Sequence, residues 1–244
     1  MVVLVFLSLL LLATGAFALP ETLEETGFSE AEATAFTPQY PLWSDGSDKR
    51  RWISLPPGAA IDKSNPDAWQ FPAGTRAWKE FSRDRRKIET RFIERLADGS
   101  WRYATYLWNE DATRATLAPA QGISKSGIPS RADCLACHEG APVPILGYSA
   151  VQLHAKLPRA LGYLHGNCGH CHNDSGPLAN VDLVLASRSE NKTGLSLLER
   201  KDSILRKMKS KNPLTRMPPL GVTVPDAEGI ALVERWLTQK ELSP

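Results

Sequence analysis

The sequence predicts an α+β protein, an N-terminal antiparallel β-sandwich-like domain followed by a mainly α-helical domain. Three observations predict it. Residues 38–120 are rich in Trp, Tyr, Arg and Thr and alternate with a period of two. Beyond about residue 120 that alternation gives way to helix-and-loop patterning. The helical half also holds two copies of Cys-x-x-Cys-His, at 134–138 and 168–172, which use all four cysteines of the chain.

Met1 to Leu12 is an apolar run without a charge, and Ala16-Phe17-Ala18 after it has the small-x-small form of a cleavage site. Residues 1–18 read as a signal peptide, too short in its apolar part for a resident membrane helix, so a membrane tether is expected only if the segment is uncleaved. The export signal points to a periplasmic or otherwise exported protein of about 226 residues, enough for one large domain or two ordinary ones. Residues 19–37 form an N-terminal segment, in which Ser29 to Glu32 resembles a capping box opening one short helix.

Within the β-rich domain, 38–120, strand-like alternation covers Lys49–Leu55, Arg76–Ser82, Lys87–Leu96 and Trp101–Trp108. Asp98-Gly99 is a hairpin turn signal, Arg83 to Lys87 an exposed turn, and Pro56-Pro57-Gly58 and Pro72-Ala73-Gly74 break the chain between strands. Trp43, Trp52, Trp69, Trp78, Trp101 and Trp108 are read mostly as core. Asp45, Asp48, Glu110 and Asp111 are read as turn formers, having no ligand spacing for a cation. In the second domain, 128–242, Leu157 to Asn167 predicts a helix leading into the second motif and Ser203 to Met208 a shorter one. Asp226 caps a final helix with an apolar stripe at Ile230, Val233 and Leu237.

Four cysteines in an oxidising compartment could form two disulfides, but that gives no reason for a histidine to follow each pair. In Cys-x-x-Cys-His both sulfurs can add across haem vinyl groups while the next imidazole binds iron. The expected cofactors are therefore two c-type haems, on Cys134, Cys137 and His138 and on Cys168, Cys171 and His172. Met217 follows His172 by 45 residues inside Arg216-Met217-Pro218-Pro219, whose prolines stiffen a loop that could bring a thioether to the second iron. Met208 reads as core beside Ile204 and Leu205. Only 30 residues separate Cys137 from Cys168, so the first haem must share walls with its neighbours. His154, 16 residues beyond His138, is the candidate sixth ligand there, with a solvent-facing helix histidine as the competing reading. His165 is read as bonding a propionate or backbone, and His170 as facing outward.

The formal charge of +2 gives no sign of nucleic-acid binding. Arg200, Lys201, Arg206, Lys207, Lys209, Lys211 and Arg216 could form a basic rim that steers acidic redox partner proteins, or simply a solvated helix face.

The chain resembles a family of uncharacterised bacterial exported di-haem c-type cytochromes with a β-rich N-terminal region. The resemblance runs through residues 37–46 (Thr-Pro-Gln-Tyr-Pro-Leu-Trp-Ser-Asp-Gly), 51–58 (Arg-Trp-Ile-Ser-Leu-Pro-Pro-Gly) and 106–111 (Tyr-Leu-Trp-Asn-Glu-Asp). It continues through 129–134 (Pro-Ser-Arg-Ala-Asp-Cys), 162–168 (Gly-Tyr-Leu-His-Gly-Asn-Cys) and 217–221 (Met-Pro-Pro-Leu-Gly). It implies a cytochrome c domain that binds haem and transfers electrons. Relatives carry longer segments between the two motifs and before the methionine. The expected function is electron transfer without substrate chemistry. Two alternatives are a di-haem peroxidase-like enzyme with an open first haem, and a haem-containing ligand-binding module.

Overall fold

In a computed structural model the described residues are 18–154, 156–174, 176, 178–181, 183–185 and 197–241. Nearly all of the proposed signal peptide and the polar stretch Ser187 to Thr193 lie outside them.

Six strands form one antiparallel sheet in sequence order: β1 (Thr34–Ala35), β2 (Asp48–Ser54), β3 (Arg76–Arg83), β4 (Arg86–Arg95), β5 (Trp101–Trp108) and β6 (Ala115–Leu117). The β3–β4 turn places Asp84 and Arg85 at φ 51° and 64°, the left-handed geometry of a tight hairpin. At the β4–β5 turn Gly99 takes φ 85° and the Ser100 amide donates to Asp98 Oδ1 at 2.9 Å.

The described strands make a single sheet, and helix and loop cover the faces where a sandwich would need a second sheet. On one face Trp52, Trp78, Phe92 and Tyr106 pack against Leu23 and Phe28 of the N-terminal segment, and Trp78 Nε1 donates to Thr26 Oγ1 at 2.8 Å. On the other, Ile53, Ala77, Ile93 and Tyr103 share one core with Trp69, Phe71, Cys134, Val143 and Ile145. That cluster crosses the expected boundary near residue 120, so the two regions share a core. The expected helix at Ser29 to Glu32 is only a turn, because Thr34 and Ala35 pair with Ile53 and Trp52; the short helical turn is Glu24–Thr26.

The second half contains α1 (Arg131–His138), α2 (Ala150–Leu153), α3 (Arg159–Cys168), α4 (Lys201–Lys209) and α5 (Ala227–Glu241). Asp226 Oδ1 accepts from the Gly229 amide at 2.9 Å, the expected cap of α5. Leu161 and Leu164 of α3 meet Met208 of α4 and Ile230, Val233 and Leu237 of α5 in a second core. Among the described residues no helix is long and apolar enough to cross a membrane.

Candidate functional site

The first motif is the body of α1. Ser130 Oγ accepts from the Asp133 amide at 3.1 Å and the Asp133 carboxylate accepts from the Ser130 amide at 2.8 Å, a reciprocal cap that fixes where the helix begins. Cys134 and Cys137, three apart, then lie on one helix face. Cys134 is buried against the sheet, while Leu135 on the other side is exposed.

His138 closes α1, and the chain returns so that its ring Nδ1 meets the Pro144 carbonyl oxygen at 2.6 Å. With Nδ1–H donating, Nε2 keeps its lone pair, the arrangement that ligating histidines use to fix tautomer and ring direction. Burial lowers His138 to about 4, against the opposing Pro144 bond, so the ring is neutral at ordinary pH. Tyr103 of β5 lies beside it, ring centroids 5.2 Å apart.

The second motif continues from α3. The amides of Cys171 and His172 donate to the Cys168 carbonyl at 3.1 and 2.9 Å, and the Leu185 amide donates to the His172 carbonyl at 2.8 Å. Cys168 packs against the second core, so the first cysteine of each motif belongs to a different cluster. His172 Nδ1 is buried, and the nearby Leu183 carbonyl favours its protonated form against the larger lowering effect of burial.

None of the four cysteines is joined to another in a disulfide. Burial, then Cys171 and Cys134, pushes the Cys137 thiol up to about 11; burial, then Cys171, pushes Cys168 to about 12. Both are neutral at ordinary pH, and the influence of Cys171 on Cys137 reflects the closeness of the two motifs. Asn173, 2% exposed, fastens them: its Nδ2 lies 2.9 Å from Gly140 O, 3.1 Å from Gly169 O and 3.1 Å from His170 O.

Between the sheet and α1 lies a cleft of about 100 Å³. The sheet lines it with Ala77, Lys79, Arg91 and Tyr103, and α1 with Cys134, Cys137 and His138. His170 also lines it, contrary to the expectation that it faces outward, because Asn173 ties the turn of the second motif to the end of the first. Burial lowers His170 to about 4, with Lys79 adding to the effect. His154 is exposed at the end of α2, its ring 6.1 Å from that of Trp69, and is not among the residues lining this cleft. His165 lines a separate cleft with Asn173.

Met217 is anchored by its amide, which donates to the Lys207 carbonyl at 3.0 Å. It lines a small crevice of about 20 Å³ with Tyr163, Met208, Arg216 and Ile230; His172 is not among the residues lining that crevice. Residues 186–196, which lie between the second motif and α4, are outside the described set. Met208 is buried in the second core, as expected.

A strap from the β region holds this half in place. Tyr40 and Gln152 exchange hydrogen bonds, Tyr40 N to Gln152 Oε1 and Gln152 Nε2 to Tyr40 O, each at 3.0 Å. The Trp43 amide donates to Asn167 Oδ1 of α3 at 2.7 Å and Trp43 Nε1 to Val224 O at 2.9 Å. Asp45 has the left-handed φ of a turn residue, 51°, but its carboxylate also accepts from Thr223 N at 2.8 Å, Thr223 Oγ1 at 2.7 Å and Val224 N at 3.0 Å. These bonds span nearly 180 residues and are invisible to local pattern. The cap at Ser130, by contrast, had a readable Ser-x-x-Asp signal.

The donor set can accept covalently attached haem. It offers two paired thiols, an imidazole tethered through Nδ1 and a partly apolar hollow beside it. Among the described residues no three His, Cys, Asp or Glu side chains converge as a site for a bare metal ion. Comparisons with family models, with curated proteins and with solved structures gave no match.

Proposed function

We propose that this chain is an exported di-haem c-type cytochrome of the bacterial family it resembles, acting as an electron carrier in the periplasm. Cys134, Cys137 and His138 would hold one haem, and Cys168, Cys171 and His172 the other, to which Met217 would offer its thioether. When bound, haem supplies one-electron ferric/ferrous chemistry. The observation that carries this reading is the 2.6 Å contact from His138 Nδ1 to Pro144 O, which aims a neutral imidazole from the end of a Cys-x-x-Cys helix. The Pro144 carbonyl orients the ring, Tyr103 and Ile145 shield it, and Asn173 fixes the spacing of the motifs. The exposed Arg206 and Lys211 ahead of Met217 support docking of acidic redox partner proteins.

Mass spectrometry and absorption spectra of the mature protein, exported from a host with haem-ligation machinery, test this reading. Two covalent haems and reversible reduction are expected; a colourless protein with its thiols joined to each other would overturn it.

A peroxidase-like reading draws on one observation, the exposure of His154 outside the first cleft, where it would not reach a haem held by the first motif. A high-spin fraction together with peroxide turnover would favour it. Two low-spin centres without turnover support the carrier.

A further inference from the structure

The sheet face that looks onto α1 carries three cations in one cross-strand row. Arg51 of β2 stands opposite Lys79 of β3, and Lys79 opposite Arg91 of β4. Directly opposed side chains have Cβ atoms about 5 Å apart, and like charges so placed destabilise a sheet. All three residues line the cleft that holds Cys134, Cys137 and His138, and Arg51 is 6% exposed.

Their counter-charge within the sheet is incomplete. Glu89 takes Arg91, at 3.0 Å to Nε and 2.5 Å to Nη2. Among the described residues neither Arg51 nor Lys79 has a carboxylate within 4 Å; the Lys79 ammonium rests 4.7 Å from the Phe81 ring centroid. Glu89 is the one carboxylate paired with this row among the described residues, and it serves Arg91 alone. Burial holds Arg51 down to about 10, and burial with the flanking guanidiniums holds Lys79 well below its ordinary value. A second observation points the same way. The Tyr103 hydroxyl, in the same cleft, is buried with no hydrogen-bond partner among the described residues, and a buried unpaired hydroxyl costs about 1–3 kcal/mol.

The position of the row indicates what it awaits. Cys134 packs against the inward row formed by Ile53, Ala77, Ile93 and Tyr103. The cation row is the next inward row along the strands, about 7 Å away by the pleat repeat. A porphyrin carries its two carboxylates on the edge opposite the vinyl groups that cysteines capture. We infer that Arg51, Lys79 and Arg91, with the Tyr103 hydroxyl, form the binding site for the two propionates of the haem attached to the first motif. This assignment rests on the haem reading above. It gives the sheet a direct part in tuning that haem, because cations beside it favour the reduced state.

The test uses full-length haem-loaded protein carrying Arg51→Gln or Lys79→Gln, made separately, with Lys79→Arg as the conservative control. Lys79→Met, which keeps the stem on Phe81, substitutes if Lys79→Gln does not accumulate. Potentiometric titration should lower the reduction equilibrium of one haem about tenfold, equivalent to about 59 mV for one electron, and leave the other unchanged. The propionate bending bands in resonance Raman should shift, and Lys79→Arg should retain the parent values. Two haems with parental midpoints and parental propionate bands in both Gln variants would overturn the assignment and leave the row to a different anion. Absence of covalent haem from the unsubstituted protein would instead overturn the haem reading itself.

Discussion

Gly162→Ala should destabilise this protein although it replaces glycine in a helix. In a free helix the change gains about 1 kcal/mol. Here a Cβ on Gly162 would lie 2.1 Å from Tyr40 Cε1 and 2.2 Å from Cδ1, where ordinary contact begins near 3.4 Å, so the ring must retreat by about 1.3 Å. Tyr40 cannot retreat freely: its hydroxyl donates to Leu157 O at 3.0 Å and accepts from Leu157 N at 2.7 Å, and its backbone is held by Gln152. Overpacking costs about 1–3 kcal/mol and each lost hydrogen bond about 1 kcal/mol. After the propensity gain the net loss is about 2–4 kcal/mol. Urea unfolding of a double-mutant cycle with Tyr40→Ala reads it directly. With the ring removed, Gly162→Ala should become neutral or stabilising, for a coupling of about 3 kcal/mol. A neutral or stabilising Gly162→Ala in the parent would refute the account of Tyr40 as a strap pinned onto α3.

Ser130→Ala removes the reciprocal cap of the eight-residue α1 and should cost about 0.5–2 kcal/mol in denaturant unfolding. Asn173→Ala leaves the Gly140, Gly169 and His170 carbonyls without their shared donor and should cost about 1–3 kcal/mol. Asn173→Asp, which turns oxygens toward them, should cost more, and equal stability of the two would sink the donor role. Lys49 has its pKa lowered to about 8, by burial first and then by Arg51. Its folded value lies below the unfolded one, so between about pH 8 and 10.5 the unfolded chain binds more protons and stability rises with pH. In haem-free chain, unfolding free energy should climb through that window, and Lys49→Met should make the climb shallower, with Lys79 supplying the remainder.

β2 to β5 were legible because each runs over seven or more residues, long enough for period two to stand out. What covers the faces was not. Alternation reports that a face is buried, not whether a second sheet buries it, and here Leu23 and Phe28 take one face and Cys134, Val143 and Ile145 the other. β1 and β6, of two and three residues, are too short to carry a period. Ser29 to Glu32 and Ser130 to Asp133 carry the same local cap signal, and only the second opens a helix. The first is followed at once by residues recruited to the sheet edge. The cysteines and histidines of the two motifs were legible as chemistry, whereas Asn173 and Asp45 act on backbone brought close only by folding. The row Arg51, Lys79 and Arg91 was hidden for a different reason. Charged residues in a strand pattern read as the solvent side, and these lie on the side that lines a cleft.

Ile53, Ala77, Ile93 and Tyr103 pack against Cys134, Val143 and Ile145, so the first motif draws half of its surroundings from strands that precede it by 30 residues or more. The strap from Tyr40 to Asp45 then reaches α3 and the segment just beyond Met217, tying the same sheet to the second motif and to the methionine loop. A detachable ligand-binding domain would keep its core to itself and meet its neighbour across a polar linker. Here separating residues 20–120 would strip Cys134, Val143 and Ile145 from the sheet and expose an apolar face that the intact chain buries. The β region is therefore better understood as one wall of the candidate haem site than as a separate receptor, and alteration of its inward rows should be felt first at His138.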